Sequence, residues 1–331
     1  MPNRNANFTR FAWATLALNV AVILWGAYVR ATGSGAGCGS HWPTCNGEVI
    51  PRAPQVATLI EYTHRLTSGL AFLAVLSLLF FAFYRFTRGH RVRFWAVLSM
   101  GSMLVEAMIG AVIVLKGLVG SDASVARALI MGVHLINTFV LLMALAMVAL
   151  SSERPSPLLT SNATPLPWLG VTMLLFVLTG MSGAVAALGD TIFPAHSLAE
   201  GLNMDFSATA PLLIRLRVFH PFLATASTIG ILLCAAHASA RSSHFQMGDA
   251  LRKLWGWTAA LAIGQIGIGL LNLILLAPVW MQILHLLWAD LLWIALVLAS
   301  ERWLRLEATL APASHSDSQF QRERLKTSRA T

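Results

Sequence analysis

Charged side chains are scarce in this chain. Of 331 residues only 11% are Asp, Glu, Lys or Arg, where a soluble domain carries about 25%. That shortage excludes an ordinary soluble enzyme. Together with 56% hydrophobic residues it also excludes a disordered chain, which needs low hydrophobicity and high charge. Cysteine is equally sparse, and three residues cannot build the disulfide framework of a small secreted domain. Acidic residues number 14 against 23 basic ones, for a net charge of +9. Such a balance can signal nucleic acid. Here, however, the basic residues fall in the tails and loops between apolar runs, where Lys and Arg set membrane topology. With a mean hydropathy of +0.68, the composition describes a chain that lives among membrane lipids and has no nucleic-acid partner.

A membrane-spanning helix needs about 20 mostly apolar residues. Eight such runs occur, near 11–30, 58–84, 94–116, 125–150, 167–188, 211–236, 254–276 and 280–300. The first is too long for a signal-peptide core and ends on Tyr28-Val29-Arg30 without a small-residue cleavage site. The last two are separated only by Ala277-Pro278, which reads as a tight hairpin, with a single broken helix as the alternative. With the N-terminus inside, sixteen basic residues lie on the inner side and seven on the outer. Both termini are therefore expected in the cytoplasm.

The chain also reads as two related halves. Gly26-Ala27 recurs as Gly183-Ala184, His64 as His220, Glu106 to Gly110 as Gln265 to Gly269, and His134-Leu135 as His285-Leu286, at offsets of 157, 156, 159 and 151 residues. Each half has an even number of spans, so the repeats are parallel. The expected fold is an all-α polytopic membrane protein, its eight transmembrane helices forming two pseudo-symmetric four-helix bundles. The halves are 1–150 and 168–305, joined by a cytoplasmic linker 151–167 and followed by a disordered tail 306–331.

Ionisable groups inside a membrane are costly and mark function by default. Of ten histidines, His64, His134, His220 and His285 fall one each on the second, fourth, sixth and eighth spans, all in their first few turns. They share one depth near the outer face. A lone membrane histidine most often just bonds a neighbouring helix. Four at one depth, two per half, fit a cofactor better. Two imidazoles from facing helices suit a heme iron, which gives two sites, His64 with His134 and His220 with His285. No cysteine or acidic set accompanies the pairs to suggest zinc or copper. With both axial positions filled, the iron could not bind oxygen. Chemistry would fall at the porphyrin edge, or the protein would only move electrons.

The halves are not equal. Glu61 lies three residues before His64, on the same helix face, and its counterpart in the second half is Arg217. Arg217 is expected to pair with a heme propionate, and Arg65 is the matching candidate in the first half. A carboxylate would repel propionates, so Glu61 reads as a general base or charge stabiliser at the porphyrin edge, or else as the salt-bridge partner of Arg65 or Arg127. Glu106 and Gln265 are mid-membrane and are expected to bond between helices, with support of a site residue from behind as the alternative. Pro221, directly after His220, either tilts that histidine or simply kinks the helix. Cys38 and Cys45 stand in the first outer loop, where a disulfide persists and would contribute about 2–3 kcal/mol. The bridge reads as the staple of a lid over the first site, with a redox-active thiol pair as the alternative. Cys234 reads as inert core.

These residues resemble the heme A synthase family. The likeness rests on Cys38…His41-Trp42-Pro43…Cys45-Asn46-Gly47, on Glu61-Tyr62-Thr63-His64-Arg65, on Gly189-Asp190-Thr191-Ile192-Phe193-Pro194, on His220-Pro221, and on His285-Leu286…Ala289-Asp290. It covers about 11 to 305. The resemblance implies an oxidoreductase of the bacterial cytoplasmic membrane that converts heme O to heme A for cytochrome oxidase. A porphyrin methyl would become a formyl through hydroxymethyl and hydrated-aldehyde stages, with electrons passing to an unidentified acceptor. It implies heme O as substrate on His64 and His134, a resident heme B (iron) on His220 and His285, and Glu61 as the group that activates water or stabilises the oxidised methyl. A heme O synthase would be a transient partner, and a homo-oligomer is compatible. The competing readings are a diheme b-type electron-transfer cytochrome and a heme carrier without chemistry.

Overall fold

A computed structural model of the chain describes residues 5–153, 167–242 and 248–310. The elements are α1 (Ala6–Ala31), a 3-10 turn (Ser34–Ala36), α2 (Val56–Arg85), α3 (Arg91–Leu115), α4 (Val125–Glu153), α5 (Pro167–Ile192), α6 (Leu198–Phe206), α7 (Leu212–Arg217), α8 (Phe219–Ser242), α9 (Gly248–Ile274) and α10 (Val279–Leu310). Among the described residues there is no β-strand. A backbone in hydrocarbon must satisfy its hydrogen bonds within the segment, and a helix does so. Eight helical spans are long and apolar enough to cross a membrane, α7 and α8 counting as one. The chain is an all-α, multi-pass membrane protein, and the eight runs read from the sequence are its eight spans.

Local chemistry sets the helix ends. His90 caps α3 by accepting the Val92 N–H on Nδ1 at 3.2 Å. Gly117 ends α3 in the left-handed region, with φ +66°, the common stop signal of a helix. Between α9 and α10 the chain turns through Leu276 and Ala277, with φ of 61° and 52°, then Pro278. The hairpin, not a single broken helix, is what forms. Two side-chain-bearing residues sit in the left-handed region to make it. The chain also breaks at Val218, between α7 and α8. Pro221 accounts for this, because its ring cannot sit against the carbonyl four residues earlier, that of Arg217. The last helix differs from expectation. α10 continues to Leu310, beyond the boundary at 305, so 306–310 are helix and not tail. The expected tail from 311 onward and linker residues 154–166 lie outside the described residues.

Packing places α4 at the centre. In the first half α1 lies on α2 and α4, and α3 closes the ring against both α2 and α4. In the second half α5, α8, α9 and α10 pack in succession, but α5 and α10 barely touch each other, and α4 packs against both. Hydrogen bonds at three places help join the halves among the described residues. The Trp293 indole donates to the Phe139 carbonyl at 2.8 Å, within an aromatic group in which Phe139, Phe176 and Trp293 lie 5.2–5.5 Å apart between ring centroids. Arg30 of α1 reaches across to the Ala187 carbonyl (2.7 Å), Thr191 Oγ1 (2.9 Å) and Gln282 Oε1 (2.9 Å). At the opposite end Arg91 donates to Glu301 at 2.6 Å, both side chains buried. Small residues allow this close approach, as is usual between membrane helices. A Cβ at Gly180 would collide with the Phe139 ring. Gly180→Val should therefore cost about 1–3 kcal/mol through overpacking. A thermal melt in detergent should show a lowered midpoint, while Gly170→Val, where nothing lies within 4 Å, should leave it unchanged.

Candidate functional site

The four intramembrane histidines lie toward the end of the bundle that carries the Cys38–Cys45 loop, on α2, α4, α8 and α10. The His64 and His220 rings each pack into a space kept open by a glycine of a neighbouring helix. A Cβ at Gly26 would come within 2.9 Å of the His64 ring, and one at Gly183 within 2.9 Å of the His220 ring. The relation recurs at corresponding positions of the two halves. A hydrogen bond recurs as well. Asn137 Nδ2 donates to the Ser102 carbonyl at 2.9 Å, and Trp288 Nε1, three residues after His285 as Asn137 is after His134, donates to the Leu261 carbonyl at 2.8 Å.

The His220 and His285 rings have centroids 6.3 Å apart and planes at 85°. A metal held between two imidazole nitrogens, at about 2.0–2.1 Å from each, separates two ring centres by roughly 6 Å. His64 and His134 lie within electrostatic reach of each other. Among the described residues no group of three or more His, Cys, Asp or Glu gathers for a metal ion, so the paired imidazoles are the donor sets present.

Behind the rings lie the groups that fix them. His220 Nδ1 is 3.1 Å from the Thr179 carbonyl and 3.1 Å from Ser182 Oγ. The carbonyl accepts the Nδ1 proton, which leaves Nε2 as the free lone pair. Glu106 Oε2 is in charge contact with His134 Nδ1 at 2.5 Å, though out of line with the ring N–H, so that Nδ1 has no hydrogen bond. Gln265 Nε2 lies 3.3–3.4 Å from the ring nitrogens of His285. His64 Nδ1 is buried without a hydrogen-bond partner. Metal-bound histidines characteristically donate their second nitrogen to a carbonyl or carboxylate. That arrangement, with the glycine spaces and the 6.3 Å pair, fits a flat iron tetrapyrrole held between imidazoles.

Glu61 is 3% exposed and both its oxygens carry donors. Oε2 accepts the Cys38 N–H at 2.8 Å and Oε1 accepts from Arg65 Nη2 at 2.5 Å. The salt bridge to Arg65 therefore forms, while Arg127 turns away to the carbonyls of Gly120 and Asp122. Arg65 also donates to the His41 and Thr44 carbonyls, at 2.7 and 2.5 Å. Its guanidinium latches the loop closed by the Cys38–Cys45 disulfide. Arg217 does the same for the second long loop, donating to Asp190 at 2.8 Å, to Asp205, and to the Gly201 carbonyl at 3.1 Å. Both arginines named as propionate candidates thus hold their own loops. Cys234 is buried, 3.6 Å from Thr172 Oγ1.

Sequence reasoning passed over Arg30, Thr179 and Ser182, and read Glu106 first as a bond between helices, with support of a site residue as the alternative. The signal for Glu106 was present, since an acid in mid-membrane needs a partner. Thr179 acts through its carbonyl, which no residue type announces.

Comparisons with known proteins give the family. The family model COX15-CtaA, described as "Cytochrome oxidase assembly protein", matches residues 9–297. A "Heme A synthase" from Staphylococcus saprophyticus is 29% identical over 283 residues, covering 82% of this chain and 87% of that one. Another from Geobacillus kaustophilus is 38% identical over 127 residues, 38% of this chain and 39% of that one. A "Protoheme IX farnesyltransferase" from Thermus thermophilus is 49% identical over 290 residues, 87% of this chain. The chain spans only 47% of that Thermus protein's length.

The Arg65 latch carries a prediction. Arg65→Gln should loosen the loop between Gly37 and Asn46 without unfolding α2. Hydrogen–deuterium exchange of the loop amides should speed up by at least tenfold, with exchange along the middle of α2 unchanged.

Proposed function

The chain belongs to the COX15-CtaA family of cytochrome oxidase assembly proteins, and from that premise we propose that it is a heme A synthase, an oxidoreductase converting heme O to heme A. The observation that carries the proposal is the doubled imidazole pair, present in both halves on matching helices, with a carboxylate one turn from the histidine in the first half only. A plain electron carrier has no need of that difference.

In this reading His64 and His134 hold heme O as substrate, and His220 and His285 hold heme B. Heme B, when bound, supplies a site that takes up and passes on electrons. The chain's own residues do the rest. Thr179 and Ser182 keep the Nδ1 side of His220 engaged, which leaves Nε2 as the lone pair available to a metal. Gly26 and Gly183 let the rings lie against α1 and α5. Glu61 stands beside the first site under the disulfide loop. Its two oxygens already have donors, which favours a carboxylate that stabilises positive charge developing at the methyl over one that must first shed Arg65 to take a proton. The loop latched by Arg65 covers this carboxylate and limits its access to water.

The Thermus relative is named for attaching a farnesyl group to protoheme. About half of its length is the segment like this chain. The Staphylococcus protein named heme A synthase is instead spanned over 87% of its length. A segment like this chain, joined in one polypeptide to a further part in a protein named for farnesylating protoheme, favours a heme O synthase as this chain's working partner, one that hands over the farnesylated heme. The excess of basic residues favours both termini in the cytoplasm and the disulfide loop on the outer side of a bacterial cytoplasmic membrane.

Two outcomes test the proposal. Glu61→Gln should retain both hemes yet accumulate heme O or its hydroxymethyl form, read by extraction and mass analysis, with at least a 100-fold drop in heme A. An undiminished heme A yield would remove the acid from the mechanism. Replacing Cys38 and Cys45 together with Ser should lower heme A formation several-fold and leave the His220–His285 heme in place. Loss of that second heme would contradict independent sites.

A further inference from the structure

The two sites share a scaffold but differ in what stands behind the fourth-span histidine. In the first half Glu106 Oε2 lies 2.5 Å from His134 Nδ1. The other oxygen, Oε1, takes hydrogen bonds from Asn137 Nδ2 at 2.9 Å and Thr138 Oγ1 at 2.9 Å. Asn137 is itself pinned to the Ser102 carbonyl. The carboxylate is thus surrounded by donors and fixed in place, facing His134 from α3. In the second half the same place on α9 holds Gln265, beside His285. Where Asn137 and Thr138 stand in the first half, the second has Trp288 and Ala289. The Trp288 indole goes to the Leu261 carbonyl, as Asn137 goes to that of Ser102, and Ala289 has no side-chain donor. An amide carries no net charge, whichever way it is turned.

We propose that Glu106 is a positioning residue that makes His134 a stronger electron donor to its iron than His285 is, so that the chain holds its two hemes at unequal reduction potentials by construction. This rests on the reading that the histidine pairs ligate hemes. The physical cause is the carboxylate at Nδ1. A full negative charge set against one nitrogen of an imidazole raises the basicity of the other, and the charge and dielectric behind an axial ligand are among the protein's levers on heme potential. Low local dielectric around helices in lipid makes that charge count for more than it would in water. Glu106 touches no reacting atom and acts only through His134. The carboxylate stabilises the ferric state of the first-half heme relative to the ferrous one. The neutral amide does not do so for the second.

The full-length chain in detergent, loaded with hemin, provides the test. Optical redox titration gives two midpoints, assigned to each half by the signal lost in His134→Ala and in His285→Ala. The wild-type first-half heme is expected at the lower potential. Glu106→Gln should raise that midpoint and shift the low-spin resonance of the same heme, leaving the second heme as an unmoved internal control. Glu106→Asp should restore part of the shift. The reciprocal Gln265→Glu should lower the second midpoint alone, which tests the effect even where Glu106→Gln weakens loading. Unchanged midpoints in both Glu106→Gln and Gln265→Glu, with heme retained, would overturn the inference and leave the heme sites standing. Absence of any low-spin bis-imidazole signal from the loaded wild-type chain would instead remove the heme reading, and this inference with it.

Discussion

Where an imidazole in an apolar helix bundle finds a hydrogen-bond partner, the nitrogen that finds it decides which one is left over. His220 settles the matter on the Thr179 carbonyl and Ser182, which leaves Nε2 as its lone pair. Glu106 sets a carboxylate oxygen against His134 Nδ1. Much of the architecture at this end serves that outcome. Glycines on α1 and α5 clear space for rings on α2 and α8. The break at Val218, forced by Pro221, resets the helix just before His220. Arg30 ties α1 to α5 and α10, so the spans that carry the two pairs are held in one frame.

The loops over that frame are held by charge as much as by covalent chemistry. Arg65 gathers the disulfide loop through carbonyl oxygens and Glu61, while Arg217 gathers the other long loop through Asp190, Asp205 and Gly201. One loop has a disulfide and the other has none among the described residues, yet both are latched. This favours the bridge as reinforcement of a fold already made by hydrogen bonds. Glu61 belongs to both worlds. It helps hold the loop, and in the proposed function it also faces the substrate. A single substitution there tests loop order and chemistry together, which is why the exchange rate and the pigment must be read separately.

The spans were legible in the sequence because hydrocarbon imposes a length and a composition on them. The histidine pairs were legible because an imidazole in a span is costly enough to stand out. The roles of Arg65 and Arg217 were legible only in part. The salt bridge of Arg65 to Glu61 was one of the readings, but that Arg65 also gathers loop carbonyls, and that Arg217 meets Asp190, Asp205 and the Gly201 carbonyl, depends on the backbone path of each loop. Glu106 was seen as needing a partner, but its choice of His134 depends on the relative rotation of α3 and α4, which no pattern of residue types specifies. The end of α10 was misjudged for a related reason. The polar Glu301, Arg302 and Arg305 look like the start of a tail, yet Glu301 is buried between Arg91 and Arg305, and that pairing carries the helix on.

The most direct measurement of the central claim is the heme content of the chain purified from cells that make heme O. Pigment should be present at two hemes per chain, both low-spin with bis-histidine ligation. One should be heme B, and the other a farnesylated heme that disappears in His64→Ala while heme B stays. A single heme per chain, or two copies of heme B with no farnesylated pigment, would contradict the account.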